Sequence, residues 1–184
     1  MSSKPFVLLG KEISEGTRTV LDLEVAKLHT RTIVKVPVII ERSINPGPVV
    51  LLLAGIHGDE TNGVGIIREI IDLGINKPTN GTIICIPVFN IFGYLIHTRE
   101  FPDGRDLNRM FPGALNGSLA SQFAYQFTKE IAPFVDYVID LDTGGCPLYT
   151  SDADDELPCV EDAERSNLHL TNAQRHRAVP PSES

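Results

Sequence analysis

Residues 49–71 read VVLLLAGIHGDETNGVGIIREII, and this stretch restricts the fold more than any other. VVLLLAGI is apolar at every position, so it has no solvated face and needs cover on both sides, as strands inside a parallel or mixed sheet do. GVGIIREIIDLGI then repeats its apolar residues at helical spacing and stops near Gly74. A buried strand feeding straight into a helix implies a layered α/β arrangement. The strand signature returns in GTIICIPVF after the turn KPTNG, and again in YVIDL, while SLASQFAYQFTKEIAPF between them has a helical period and Ser118 as its cap. Upstream, VLDLEVAKL and TIVKVPVIIER alternate loosely between apolar and polar residues, which predicts strands with one solvated face, closed by the turn SINPGP. The expected fold is therefore α/β, a mixed and largely parallel sheet with flanking helices.

Composition narrows the partners. With 184 residues and 42% hydrophobic content the chain can bury one substantial core. A formal charge of −8, with 16 Lys and Arg that form no run, argues against a nucleic-acid surface. No run of about 18 apolar residues marks a membrane span, and MSSKPFVLLGKEIS lacks a basic region followed by a long apolar segment. The expectation is a cytoplasmic protein with a small-molecule partner. Cys85 lies inside an apolar run, and with Cys146 and Cys159 it makes an odd set of three, so no disulfide framework is expected. Three regions are distinguished: a strand-rich segment 1–47, an α/β unit 48–145, and a tail 146–184 without sustained apolar periodicity.

Sheets of this type carry function in the loops beyond the carboxyl ends of their strands. HGDE occupies such a loop. His57 and Glu60 can each offer one ligand atom to Zn²⁺, whose catalytic sites commonly take His₂Glu and leave a fourth position for water. The same two residues would also serve as a turn cap and as an acidic group at a helix N-terminus. HTREFPDGRDLNRMFPG crowds Arg99, Arg105, Asn108 and Arg109 into one loop, a set suited to a substrate carboxylate, since the guanidinium fork gives two parallel donors and the amide a third. DLDTGG ends the last buried strand, where Asp and Thr are also ordinary turn caps.

GIHGDE after a buried strand, then PVFNIFGY, an Arg, DGRDLNRMFPG and a strand ending in DLDTGG together resemble the succinylglutamate desuccinylase and aspartoacylase family, zinc deacylases related in fold to metallocarboxypeptidases. The resemblance covers roughly residues 36–145. It implies that His57 and Glu60 are zinc ligands, that Asn108 and Arg109 hold the substrate carboxylate, and that Arg99 polarises the scissile carbonyl and stabilises its oxyanion. The activity it implies is hydrolysis of the amide bond of an N-acyl amino acid or related carboxylated amine. A carboxylate-binding fragment without turnover and a zinc carboxypeptidase acting on peptides are the alternatives.

Two departures stand out. The family pattern reads DLHTGG where this chain has DLDTGG, so Asp142 replaces the third, histidine ligand with an oxygen donor of shorter reach. The resemblance also implies a continuation beyond this point to a late Glu that acts as general base, which is not found after Gly145, so 48–145 is expected to be a partial zinc deacylase catalytic domain with its C-terminal part missing and its activity impaired. CPLYTSDADDE resembles the translation of a sequencing adapter, so residues 146–184 are expected to be disordered or extraneous to the domain, with a native acidic tail as the alternative.

Overall fold

The computed structural model describes residues 5–142. The tail expectation for 146–184 lies outside the described residues. A small hairpin, β1 (Val7–Leu8) with β2 (Lys11–Glu12), precedes two long strands, β3 (Arg18–Lys27) and β4 (Ile33–Arg42). Strand β5 (Val49–Leu53) leads into helix α1 (Asn62–Asp72), followed by β6 (Thr82–Ile86) and the short helix α2 (Ile91–Ile96). A 3₁₀ turn at Leu107–Met110, helix α3 (Leu119–Glu130) and strand β7 (Tyr137–Asp140) complete the order. Five strands form one sheet in the order β3-β4-β6-β5-β7. The sheet is mixed, as expected: β5 runs parallel to β6 and β7, while β4 is antiparallel to β3 and β6.

Alternation in β3 and β4 decides which way the sheet faces. Leu21, Leu23 and Val25, with Val36, Val38 and Ile40, point into the larger core, whereas Val20, Asp22 and Glu24 stay exposed. Leu51, Leu53, Ile84 and Ile86 extend that core beneath α3, whose Ala120, Phe123, Ala124 and Phe127 are buried. Phe89 packs on Phe123 and Phe127 with ring centroids 4.7 and 5.0 Å apart. Fully burying one such side chain is worth roughly 1.5–3 kcal/mol. A smaller cluster, Ile39 and Cys85 of the sheet and Ala54 just past β5 with Val64 and Ile67 of α1, covers the other face. β5, buried between these layers, accordingly has no polar face. Cys85 is free, and burial pushes its thiol up to about 11. Among the described residues no helix is long and apolar enough to cross a membrane.

The helix signals hold in detail. Ser118 accepts from the Ser121 amide as the α3 cap, and α1 ends at Asp72, with Gly74 at φ +68°, the left-handed conformation a glycine takes without strain. α2 was not anticipated. Six residues are too few to display a period, and its stability comes instead from Asn90, whose side chain accepts from the Gly93 amide at 2.9 Å.

Candidate metal centre

Parallel pairing brings the site together. β5 and β7 run side by side with Leu53 opposite Asp140, so the loop after β5 and the residues after β7 emerge at the same end of the sheet. His57 and Glu60 lie on the first, Asp142 on the second. Gly58 and Gly63 permit close approach: a Cβ at 58 would collide with the backbone of Gly93, and one at 63 with the carbonyl of Leu141. The first contact seats the loop on α2, the second sets β7's end against α1.

The His57 ring lies among carboxylates. Nδ1 faces Glu60 Oε1 at 3.1 Å and Asp142 Oδ2 at 2.5 Å, and Nε2 faces Asp106 Oδ1 at 3.2 Å. Both ring nitrogens thus meet acceptors, which favours the doubly protonated imidazolium in the metal-free chain. Burial by itself pulls His57 down, but the hydrogen bond and charge of Asp142, with Asp106 on the other side, outweigh it and the pKa stands above its ordinary value. Burial and the charge of Asp142 push Glu60 up to about 7. Burial and the same neighbour push Asp140 up to about 6. Asp106 goes the other way: burial would raise it, yet hydrogen bonds from His57 and Arg99 hold it below the usual carboxylate value.

The donor set fits a cation. Among the described residues, His57, Glu60 and Asp142 form one group whose ligand atoms all lie within 4.8 Å of one another. Glu60 Oε2 and Asp142 Oδ1 are buried and have no hydrogen-bond partner. Orphaned buried carboxylate oxygens are costly unless something positive completes them. Glu60 stands immediately before Thr61, the N-cap of α1, and its carboxylate turns to His57 and Arg99.

Arg99 borders this cluster. Its Nη1 is 3.4 Å from Glu60 Oε1, and Nε and Nη2 donate to Asp106 Oδ2 at 3.3 and 3.1 Å. Asn108 and Arg109 sit further out on the 3₁₀ turn, both exposed; Arg109 reaches Asp106 Oδ2 through Nε at 3.5 Å. The three metal candidates and Arg99 are therefore brought together, with Asn108 and Arg109 at the rim.

A model of the succinylglutamate desuccinylase/aspartoacylase catalytic domain matches residues 46–179. The chain belongs to this family. It is 33% identical over 134 residues to the N-alpha-acetyl-L-2,4-diaminobutyric acid deacetylase of Halomonas elongata, covering 70% of this chain and 37% of that protein. The structure of an aspartoacylase family protein from Mesorhizobium loti superposes with a TM-score of 0.62 at 31% identity, over 76% of this chain and 44% of that one. The product-bound ectoine utilization protein EutE (DoeB) of Ruegeria pomeroyi gives 0.59 at 26% identity, over 74% and 42%. The chain thus spans less than half the length of these relatives.

Within this desuccinylase/aspartoacylase unit, two residues beyond those singled out in the sequence organise the site. Asp106 receives His57, Arg99 and Arg109 together, so it orients a candidate ligand through the far ring nitrogen while holding two guanidinium groups. Asn90, fully buried, caps α2 and also donates from Nδ2 to the carbonyls of Arg99 and Glu100 at 3.4 and 3.3 Å, anchoring the arginine loop. Asp106 stands in DGRDLNRM beside the residues already chosen, but its contact with His57 spans 49 positions and no local spacing displays it.

A pH dependence follows from these shifts. Glu60, Asp140 and His57 all bind protons more tightly when folded than when unfolded. Asp140 contributes a loss of stability as pH rises from 3.8 towards about 6, Glu60 from 4.5 towards about 7, and His57 from 6.5 upward through its raised value. Asp106 acts only below its ordinary 3.8. The metal-free protein is expected to melt lower at pH 8 than at pH 5, by about 4 °C or more, the scale set by one to two kcal/mol in a chain of this size. Glu60→Gln should flatten the difference, which separates it from the general effect of net charge. Equal melting temperatures in the unsubstituted chain would contradict the assignment.

Proposed function

We propose that the protein is a metal-dependent amidohydrolase that removes the acyl group from an N-acyl amino acid or a related carboxylated amine, with zinc the ion the family implies. The observation that carries this reading is the buried His57, Glu60 and Asp142 group, with two orphaned carboxylate oxygens and a guanidinium alongside. The names of the relatives support it, and the Halomonas deacetylase directs the choice towards N-acetylated amino acids.

His57, Glu60 and Asp142 would hold the ion, which when bound supplies Lewis-acid activation of water and of a carbonyl. The chain's own residues do the rest of the positioning. Asp106 accepts from His57 Nε2 and thereby turns Nδ1 towards the carboxylates of Glu60 and Asp142. Arg99, steadied by Asp106, places a fixed positive charge beside the cluster, where it can meet the oxyanion that grows as an amide carbonyl is attacked. Arg109 and Asn108, exposed at the rim, suit the substrate's carboxylate. The general base implied by the family has no counterpart assigned among the described residues.

The experiment is direct. The 184-residue chain, loaded with zinc, is assayed for acetate release from N-acetyl amino acids, N-alpha-acetyl-L-2,4-diaminobutyrate included. Metal-dependent binding of these substrates by the chain, and chelator-sensitive release in a chain that also carries the general base the family implies, are the expected results. Carboxylate binding without release under any metal would replace the enzyme with a carboxylate binder.

A further inference from the structure

The third ligand position carries an observation that the proposed hydrolase does not use. In the family pattern it is a histidine, which presents one nitrogen and no second donor on the same side of the ring. Asp142 presents a carboxylate, and so does Glu60. Each has one oxygen directed at the His57 ring, and each has a second, Asp142 Oδ1 and Glu60 Oε2, that is buried without a partner. The side chains of Glu60 and Asp142 are only 5% and 10% exposed, so water does not readily satisfy these atoms.

Counting donors then decides between ions. His57 contributes Nδ1 alone, because Nε2 faces Asp106. The two carboxylates can contribute up to four oxygens. A catalytic zinc site takes three protein donors in a tetrahedral arrangement with one open position, and zinc is well served by imidazole. A set of one nitrogen and four oxygens exceeds that number and is mostly hard donors, which suit larger, six-coordinate ions of the manganese type. Two carboxylates also neutralise a dication fully, where His₂Glu leaves a net positive charge.

We infer that Asp142 converts the His57, Glu60 and Asp142 cluster into an oxygen-rich site whose preference for zinc over manganese is strongly reduced compared with the histidine form. This rests on the metal-site reading above and adds to it how the site discriminates between two ions. Zinc remains intrinsically the tighter ion of the two for ordinary nitrogen and oxygen donors, so the effect lies in the ratio of affinities.

The test uses the whole 184-residue chain, stripped with a chelator and titrated separately with Mn²⁺, followed by loss of the free-ion paramagnetic resonance signal, and with Zn²⁺, followed by competition against a chromophoric chelator. Asp142→His and Asp142→Asn are treated identically, with a thermal melt for each. The zinc-to-manganese affinity ratio is expected to be about tenfold or more smaller in the unsubstituted chain than in Asp142→His, following the preference of imidazole for zinc and of carboxylate for manganese. Asp142→Asn, which keeps one oxygen and loses the other with its charge, should weaken Mn²⁺ more than Zn²⁺ and provides the test if the histidine variant does not fold. An unchanged ratio in folded variants that bind both ions overturns this inference and leaves the metal site standing. Binding of neither ion by the folded, unsubstituted chain overturns both.

Discussion

His57→Ala is expected to abolish zinc binding, with no titratable heat at zinc concentrations that saturate the unsubstituted chain. The geometry makes this the most damaging single change. His57 is the only nitrogen donor of the group, and its ring stands between the carboxylates of Glu60 and Asp142 on one side and Asp106 on the other. Removing it deletes a ligand and also leaves three acidic side chains facing one another without the cation that separates them. Truncating one member of a buried charged pair costs about 3–5 kcal/mol. The variant should therefore also be less stable at pH 8 and recover towards pH 5, where Glu60, with its pKa near 7, carries a proton. Calorimetry at a pH where the melt confirms folding separates lost ligation from lost structure. Unchanged cation binding in a folded His57→Ala would remove His57 from the site.

On the proposed function, and in a chain that carries the family's general base, Arg99→Ala should lower kcat for N-acyl amino acid hydrolysis by about 10²–10³, the usual cost of deleting one oxyanion donor. Arg109→Lys should instead raise KM by about one to two orders of magnitude, roughly 1.4–3 kcal/mol, and only for substrates bearing a carboxylate. The structure gives a reason for the difference. Arg99 is held by two acceptors, Glu60 and Asp106, and lies against the candidate ligands, whereas the Arg109 side chain is 81% exposed and reaches Asp106 at 3.5 Å. One is held beside the candidate metal ligands; the other stands exposed, where the proposed function has it meet a substrate carboxylate. Steady-state kinetics on matched carboxylated and uncharged substrates distinguishes them. Equal KM effects from both substitutions would end this division of labour.

The strand-to-helix stretch at 49–71 made the sheet interior, α1 and the placement of His57 and Glu60 legible, because local periodicity reports burial directly. Alternation did the same for β3 and β4. Order in the sheet was less accessible: nothing in TIICI or YVIDL says that β6 and β7 flank β5 on opposite sides, since register between distant strands is set by tertiary packing. The same limit hid Asp106 and Asn90. Their roles consist of contacts to the His57 ring and to the Arg99 and Glu100 carbonyls, made by folding a polar loop back over the sheet end. Asp142 was legible as a ligand only through the family pattern, because an Asp at a strand end is ordinarily a turn cap.

The parallel register of β5 with β7 has a mechanical meaning as well. His57 and Glu60 follow one strand and Asp142 follows the other, so a cation gripping all three acts as a clasp across the seam between the two strands, closing a long stretch of chain much as a cross-link would. In the unfolded chain the third donor is remote in sequence from the first two, and the chelate does not exist. An ion captured by the folded chain draws its binding energy from that register and returns it as resistance to β7 peeling from β5.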